Sequence, residues 1–335
     1  MRRSLGVIAC VIVLFGTVAP ATAGDGRLPK RCEGAGRAPE SDGRGRTPVL
    51  LVHGFFGEPG NFRRELLTRA DDGQPSMLES IAALDGVTVY MFDYSATSDE
   101  WVTNQAIGPA LAQSIVCLAE SSGRKVMVVA HSMGGLATRL AQGEVIDGRA
   151  VSDSLSRAVI IGTPSRGVLL LTYANDRLSA FVIQTVINGA GEACSDKPKK
   201  SDRLLCELLD AANAPATAAM APGSGQLGAL PAWGADVVVH PIAGDLQVRL
   251  SVFGVGTTES IGDLVATVGS ATADESPGEE SFVVECGTEL TEIVDDVDES
   301  PCSHGNLVAN RRIIRDMVKQ VKLAVRQATK RSSSR

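Results

Sequence analysis

Aromatic side chains are scarce: 8 Phe, 3 Tyr and 2 Trp make up 4% of 335 residues. So few rings leave little for base-stacking platforms or for aromatic clefts around sugars. Positive charge is also in deficit, with 32 Lys and Arg against 39 Asp and Glu, a formal charge of −7. Loss of the first 23 residues, which hold Arg2 and Arg3 and no acid, takes this to −9. A phosphate backbone meets net repulsion from such a chain, so nucleic acid is excluded as a partner. No C-x-x-C spacing occurs, which argues against a structural zinc site. After the amino terminus no apolar stretch is long enough to cross a bilayer; residues 168–187 come nearest and are interrupted by Asn175, Asp176 and Arg177.

What is present reads as an exported globular chain. Arg2 and Arg3 precede an apolar run from Leu5 to Ala19, then Pro20 and Ala21-Thr22-Ala23. A basic start, an apolar stretch of about 15 residues and an A-x-A site describe a secretory signal peptide over 1–23, cleaved before Gly24. The expected location is therefore outside the cell or in its envelope. Apart from Cys10, six cysteines remain, an even number that reads as disulfides in an oxidising compartment. Six allow 15 pairings. The short loops favour Cys194 with Cys206 and Cys286 with Cys302, which leaves Cys32 for Cys117.

Hydropathy patterning organises the rest. Residues 24–47 lack periodicity and read as a solvated arm. Short apolar runs at 49–52, 87–92, 126–130, 158–161 and 237–243 suit strands buried on both faces of a sheet. Helical segments are expected between them at about 61–69, 101–120 and 134–144. This alternation predicts an α/β fold, a doubly wound, mostly parallel sheet, in one domain over 48–328. The rhythm breaks over about 163–235, read as a helical cap inserted between two strands. Its apolar stripe (Val168 to Leu171, Phe181 to Ile183, Val186 and Ile187) reads as packing, with an acyl pocket as the alternative. Residues 274–299 hold eleven acids and no base, and 311–335 hold nine bases and one acid, Asp316. Ile313, Ile314, Met317, Val318, Val321 and Val325 recur at helical spacing, giving an amphipathic closing helix over 311–328, then a basic tail at 329–335. Its basic side is expected to be solvated; a transient contact with an anionic lipid surface is the alternative.

The string VMVVAHSMGGL places Ser132 at a strand-to-helix turn with small residues two positions to either side. A serine on such an elbow projects its hydroxyl clear of the sheet, and small neighbours let the chain reverse. The helix beginning after it aims free amides and a positive dipole end at the place where an oxyanion forms. Upstream, PVLLVHGFFG ends a strand in His53-Gly54. The Phe55 and Met133 amides are the expected oxyanion-hole donors, and His53 is expected to shape the loop.

These two strings, with the Gly162-Thr163-Pro164 stretch, resemble α/β-hydrolase-fold lipases and esterases, especially bacterial secreted lipases. Ala130 stands where the usual G-x-S-x-G elbow has glycine, and the resembling bacterial secreted lipases carry the same A-H-S-M-G elbow. The resemblance implies a Ser–acid–His triad in that chain order. Four histidines exist: His53, His131, His240 and His304. His240 sits in an expected buried strand, whereas His304 lies in a loop just before the last helix, where family members carry the base. Asp263, in a segment similar to the family's D-G-x-V stretch but with Leu264 for glycine, is the expected acid, with Asp245 as competitor. The implied function is serine-hydrolase cleavage of carboxylic esters, acyl lipids above all, through an acyl-enzyme and with no cofactor or metal. An acyltransferase or a phospholipid or glycolipid deacylase on the same triad is the alternative, and a non-catalytic binding module a more distant one. An ester or lipid substrate is the one partner implied; oligomeric state is not legible.

Overall fold

The computed structural model describes residues 28–32, 34–63, 74–168, 214–252, 255–289 and 300–333. The expected signal peptide, the Cys194 and Cys206 pair, and most of the expected cap lie outside them. Strands run in chain order as β1 (Arg31–Cys32), β2 (Ala35–Arg37), β3 (Thr47–Val52), β4 (Val87–Phe92) and β5 (Val126–His131). A small separate hairpin, β6 (Val145–Ile146) and β7 (Arg149–Ala150), follows. Then come β8 (Leu155–Ile161), β9 (Val238–Val252), β10 (Val255–Ser260) and β11 (Phe282–Glu289). The main sheet has the order β1-β2-β4-β3-β5-β8-β9-β10, with β11 also on β9. The pairs from β4 through β9, and β9 with β11, are parallel.

Every residue of β3 and β5 is buried, which explains the apolar runs 49–52 and 126–130 within them. Their alternate side chains feed two cores: Leu50, Val128 and Ala158 face one side, and Leu51, Val129 and Val159 the other. The first core is covered by α2 (Gly108–Ser122) and α3 (Met133–Gln142), the second by α1 (Met77–Ala82) and α4 (Arg311–Ser333). Helices on both faces of a mostly parallel sheet are the architecture the alternation predicted.

Several local expectations are corrected. The described part of the arm is not wholly solvated. Its β2 pairs antiparallel with the edge strand β4, Ala35 is fully buried, and Cys32 is bonded to Cys117. Strands of two or three residues carry no periodicity, so only the tertiary edge reveals them. The helix expected from 101 begins at Gly108, with Pro109 in its first turn; residues 101–107 form turns that bury Trp101 and Val102. Proline suits that position because its missing N–H has no helical partner there. Helix α1 was not expected. Ser76 and Glu79 cap it reciprocally, a signal visible in S-x-x-E. The acidic stretch contains strand β11, and α4 continues past Ala328 into the segment read as a tail. Of the expected cap, the described flanks hold two single-turn helices, Pro215–Ala219 and Gly225–Gly228, and Val168 N–H donates to the Met220 carbonyl. The helix expected at 61–69 shows only a 3-10 turn, Pro59–Arg63, its remainder being outside the described residues. Two expected disulfides are present, Cys32–Cys117 and Cys286–Cys302. Among the described residues, no helix is long and apolar enough to cross a membrane.

Candidate active site

Ser132 occupies a turn that its sequence makes costly. Its φ of 55° and ψ of −130° lie where side chains other than glycine are strained. Both backbone groups are tied down: its N–H donates to Ile161 (2.8 Å), and its carbonyl accepts from Gly135 N–H (3.0 Å) and the Thr163 hydroxyl (3.1 Å). Small neighbours are needed. A β-carbon at Gly134 would strike the His53 and Val52 carbonyls, and one at Gly54 would lie 2.7 Å from the Ser132 Cβ. Ala130, where the usual G-x-S-x-G elbow has glycine, is fully buried.

The loop after β3 is set by His53. Its ring stacks on Tyr94 with centroids 3.9 Å apart. Its Nδ1–H donates to the Gly54 carbonyl (3.0 Å), its Nε2 accepts the Tyr94 N–H (3.2 Å), and its carbonyl accepts the Tyr94 hydroxyl (2.6 Å). Burial pushes its pKa down to about 4, against the opposing pull of the Gly54 carbonyl and the Asp93 charge. A neutral ring that both donates and accepts is a structural clamp, as expected. The Phe55 and Met133 amides have no intramolecular acceptor among the described residues. Met133 opens α3, where the first N–H groups have no helical partner.

On the facing side, Asp263 and His304 come together although 41 residues separate them. Nδ1–H of His304 donates to Asp263 Oδ2 at 2.8 Å. The other carboxylate oxygen accepts the amides of Val265 (2.9 Å) and Ala266 (2.7 Å). Carboxylate and ring are both buried. With its hydrogen on Nδ1, the imidazole keeps a lone pair on Nε2 to take a proton. Leu264, which stands in place of the glycine of the resembling segment, has a φ of 80°, a conformation that favours glycine.

Contacts tie this pair to the Ser132 elbow. The residue before the serine, His131, donates from Nε2 to the His304 carbonyl (3.0 Å), with the two rings 4.8 Å apart. Gly162, with a φ of 59°, follows the Ile161 that holds Ser132. A β-carbon there would sit 2.8 Å from Asp263 Oδ2 and 3.2 Å from His304 Cε1. Cys302, bridged to Cys286, lies two residues before His304.

Asp245 is elsewhere engaged: it accepts from Ser260 (2.6 Å), from the Gly262 amide (3.2 Å) and from Gln247. It thereby anchors the turn that carries Asp263. His240 pairs with Val159 in mid-strand and lies in a buried network with Asp316 and Gln320. Thr163, Tyr94 and His131 were not singled out as site-shaping residues; Thr163 sits in the Gly-Thr-Pro stretch, the one signal that could have found it. Among the described residues, no group of three or more His, Cys, Asp or Glu is arranged to hold a metal ion.

Among solved structures, the mature Bacillus licheniformis lipase BlEst2 aligns at 16% identity over 86% of this chain and 96% of that one, with a TM-score of 0.49. A lipase-esterase related protein from Clostridium acetobutylicum aligns at 12% identity over 86% and 97%, TM-score 0.43. The Pyrococcus furiosus esterase Pf2001 aligns at 11% identity over 88% and 84%, TM-score 0.44. The family model for the alpha/beta hydrolase family matches residues 49–286, well over half of the chain. With the sheet order and the elbow described above, that match settles the family: the chain belongs to the alpha/beta hydrolases.

Proposed function

We propose that this alpha/beta hydrolase is an exported carboxylic-ester hydrolase acting on esters of apolar acyl chains, with Ser132 as nucleophile, His304 as base and Asp263 as the orienting acid. The observation that carries the reading is the buried His304–Asp263 hydrogen bond of 2.8 Å beside a strained serine elbow. That bond puts the ring hydrogen on Nδ1, which makes Nε2 the proton acceptor. As the Ser132 oxygen attacks the ester carbonyl, His304 takes the serine proton and later returns one to the departing alkoxide. Asp263 stabilises the imidazolium between those steps. The Phe55 and Met133 amides receive the tetrahedral oxyanion, each contributing about 3 kcal/mol at the transition state. Water then repeats the sequence on the acyl-enzyme and releases the acid. Two disulfides fit the oxidising compartment to which the expected signal peptide, cleaved before Gly24, directs the chain.

Turnover of p-nitrophenyl esters of graded chain length tests the reading. Wild type hydrolyses them, and Ser132→Ala loses at least about a thousandfold in kcat. Absence of turnover by wild type, or equal turnover by the variant, refutes it.

A further inference from the structure

Phe56 combines two costs. At 45% exposure it is one of only two large apolar side chains left open among the described residues; the other, Val145, belongs to the remote β6–β7 hairpin. Its backbone is also strained, with a φ of 47°. Residues Gly54 to Gly57 form a tight turn closed by the Gly57 N–H on the Gly54 carbonyl (3.0 Å). Phe55 has negative φ and Phe56 positive φ, so Phe56 stands where such turns favour glycine. A loop selected for stability alone would place glycine or asparagine there.

The structure holds the ring in this position. The Phe56 N–H donates to the Ser98 carbonyl (3.2 Å), and its ring lies 4.4 Å from that of Phe55, which packs into the core. At the start of the same turn, Gly54 abuts the Ser132 side chain. One residue lies between Gly54 and Phe56, so their Cα atoms are at most about 7.6 Å apart. An open apolar residue thus follows, within one tight turn, the glycine that abuts the reacting serine. Strain retained at such a place points to use rather than to packing.

We propose that Phe56 determines specificity: its exposed face forms a wall on which the apolar acyl chain of the ester lies while its carbonyl meets Ser132. This rests on the hydrolase reading and adds to it a preference for long acyl chains.

The test uses Phe56→Asn, which keeps a side chain compatible with positive φ but removes the apolar face, and Phe56→Tyr, which restores the ring. The expected result in Phe56→Asn is a fall of about tenfold in the ratio of kcat/KM for p-nitrophenyl decanoate to that for the acetate, recovered in Phe56→Tyr. The thermal midpoint of Phe56→Asn is expected to equal or exceed that of wild type, so loss of fold does not explain the change. An unchanged decanoate-to-acetate ratio overturns the proposal. If wild type turns over neither ester, the hydrolase reading fails, and calorimetric binding of sodium decanoate to Ser132→Ala decides about Phe56. Binding weakened about tenfold by adding Phe56→Asn supports it; equal binding, or none, overturns it.

Discussion

His304 is joined to Asp263 twice: its ring Nδ1 donates to the carboxylate at 2.8 Å, and its backbone N–H donates to the Asp263 carbonyl at 2.9 Å. The second bond fixes where the loop sits, and the first fixes which way the ring faces. Asp245 makes neither contact; its carboxylate is spent on Ser260, Gln247 and the Gly262 amide. Asp263→Asn is therefore expected to lower kcat by about 10⁴, because an amide cannot hold the working tautomer. Asp245→Asn is expected to cost about 1–3 kcal/mol of stability and to leave kcat within tenfold. Steady-state kinetics and urea unfolding of both variants separate the roles, and the reverse pattern would exchange them.

Gly162 is where the backbone passes closest to the His304–Asp263 pair among the glycines of the site. A methyl group there has Asp263, Leu307 and His304 within 2.8–3.2 Å, on a backbone already at φ 59°. Gly162→Ala is expected to reduce kcat by at least about a hundredfold by moving the His304–Asp263 pair. An alanine variant with wild-type kcat would show that the site tolerates displacement.

Burial holds the His53 pKa at about 4 in the folded protein, against about 6.5 in an unfolded chain. The unfolded state therefore binds more protons between these values. The stabilisation is complete above pH 6.5 and is lost as pH falls towards 4, by about 3 kcal/mol in all. Urea titrations at stepped pH should show this loss, and His53→Phe, which keeps the ring but cannot titrate, should show less of it. Parallel curves for the two proteins would contradict the assignment.

At the far end of the strands, Arg157 is 2% exposed and donates to both oxygens of Glu279 (2.9 and 3.2 Å) and to Gln320 (2.9 Å). This ties β8 and the loop before β11 to α4. Arg157→Met is expected to destabilise by about 3 kcal/mol by leaving Glu279 without its partner, and adding Glu279→Gln should recover part of that. Denaturant midpoints measure both. Activity per folded molecule should not change, since the network lies away from Ser132.

The layered fold was legible because a strand segment buried on both faces is an apolar run, as residues 49–52 of β3, 126–130 of β5 and 158–161 of β8 are. Ser132, His304 and the Phe55 and Met133 amides stood out as candidates because a sharp turn demands small neighbours and because histidines are few. Asp263 was harder to read. Its segment lacks the glycine of the resembling enzymes, although Leu264 has a φ of 80°, where glycine is favoured. The paired arm escaped detection because β1 and β2 together span five residues and take their shape from the edge of β4. The Asp245 anchor escaped for another reason: an acid after a strand reads the same whether it orients a histidine or holds a turn.

The central claim is that His304 makes the Ser132 oxygen a nucleophile, and organophosphate labelling tests it most directly. Treated with diethyl p-nitrophenyl phosphate and digested, the protein should carry the diethylphosphoryl adduct on the peptide containing Ser132, and His304→Ala should label at least about a thousandfold more slowly. Absence of the adduct from wild type, or equal labelling rates in the two proteins, would contradict the account.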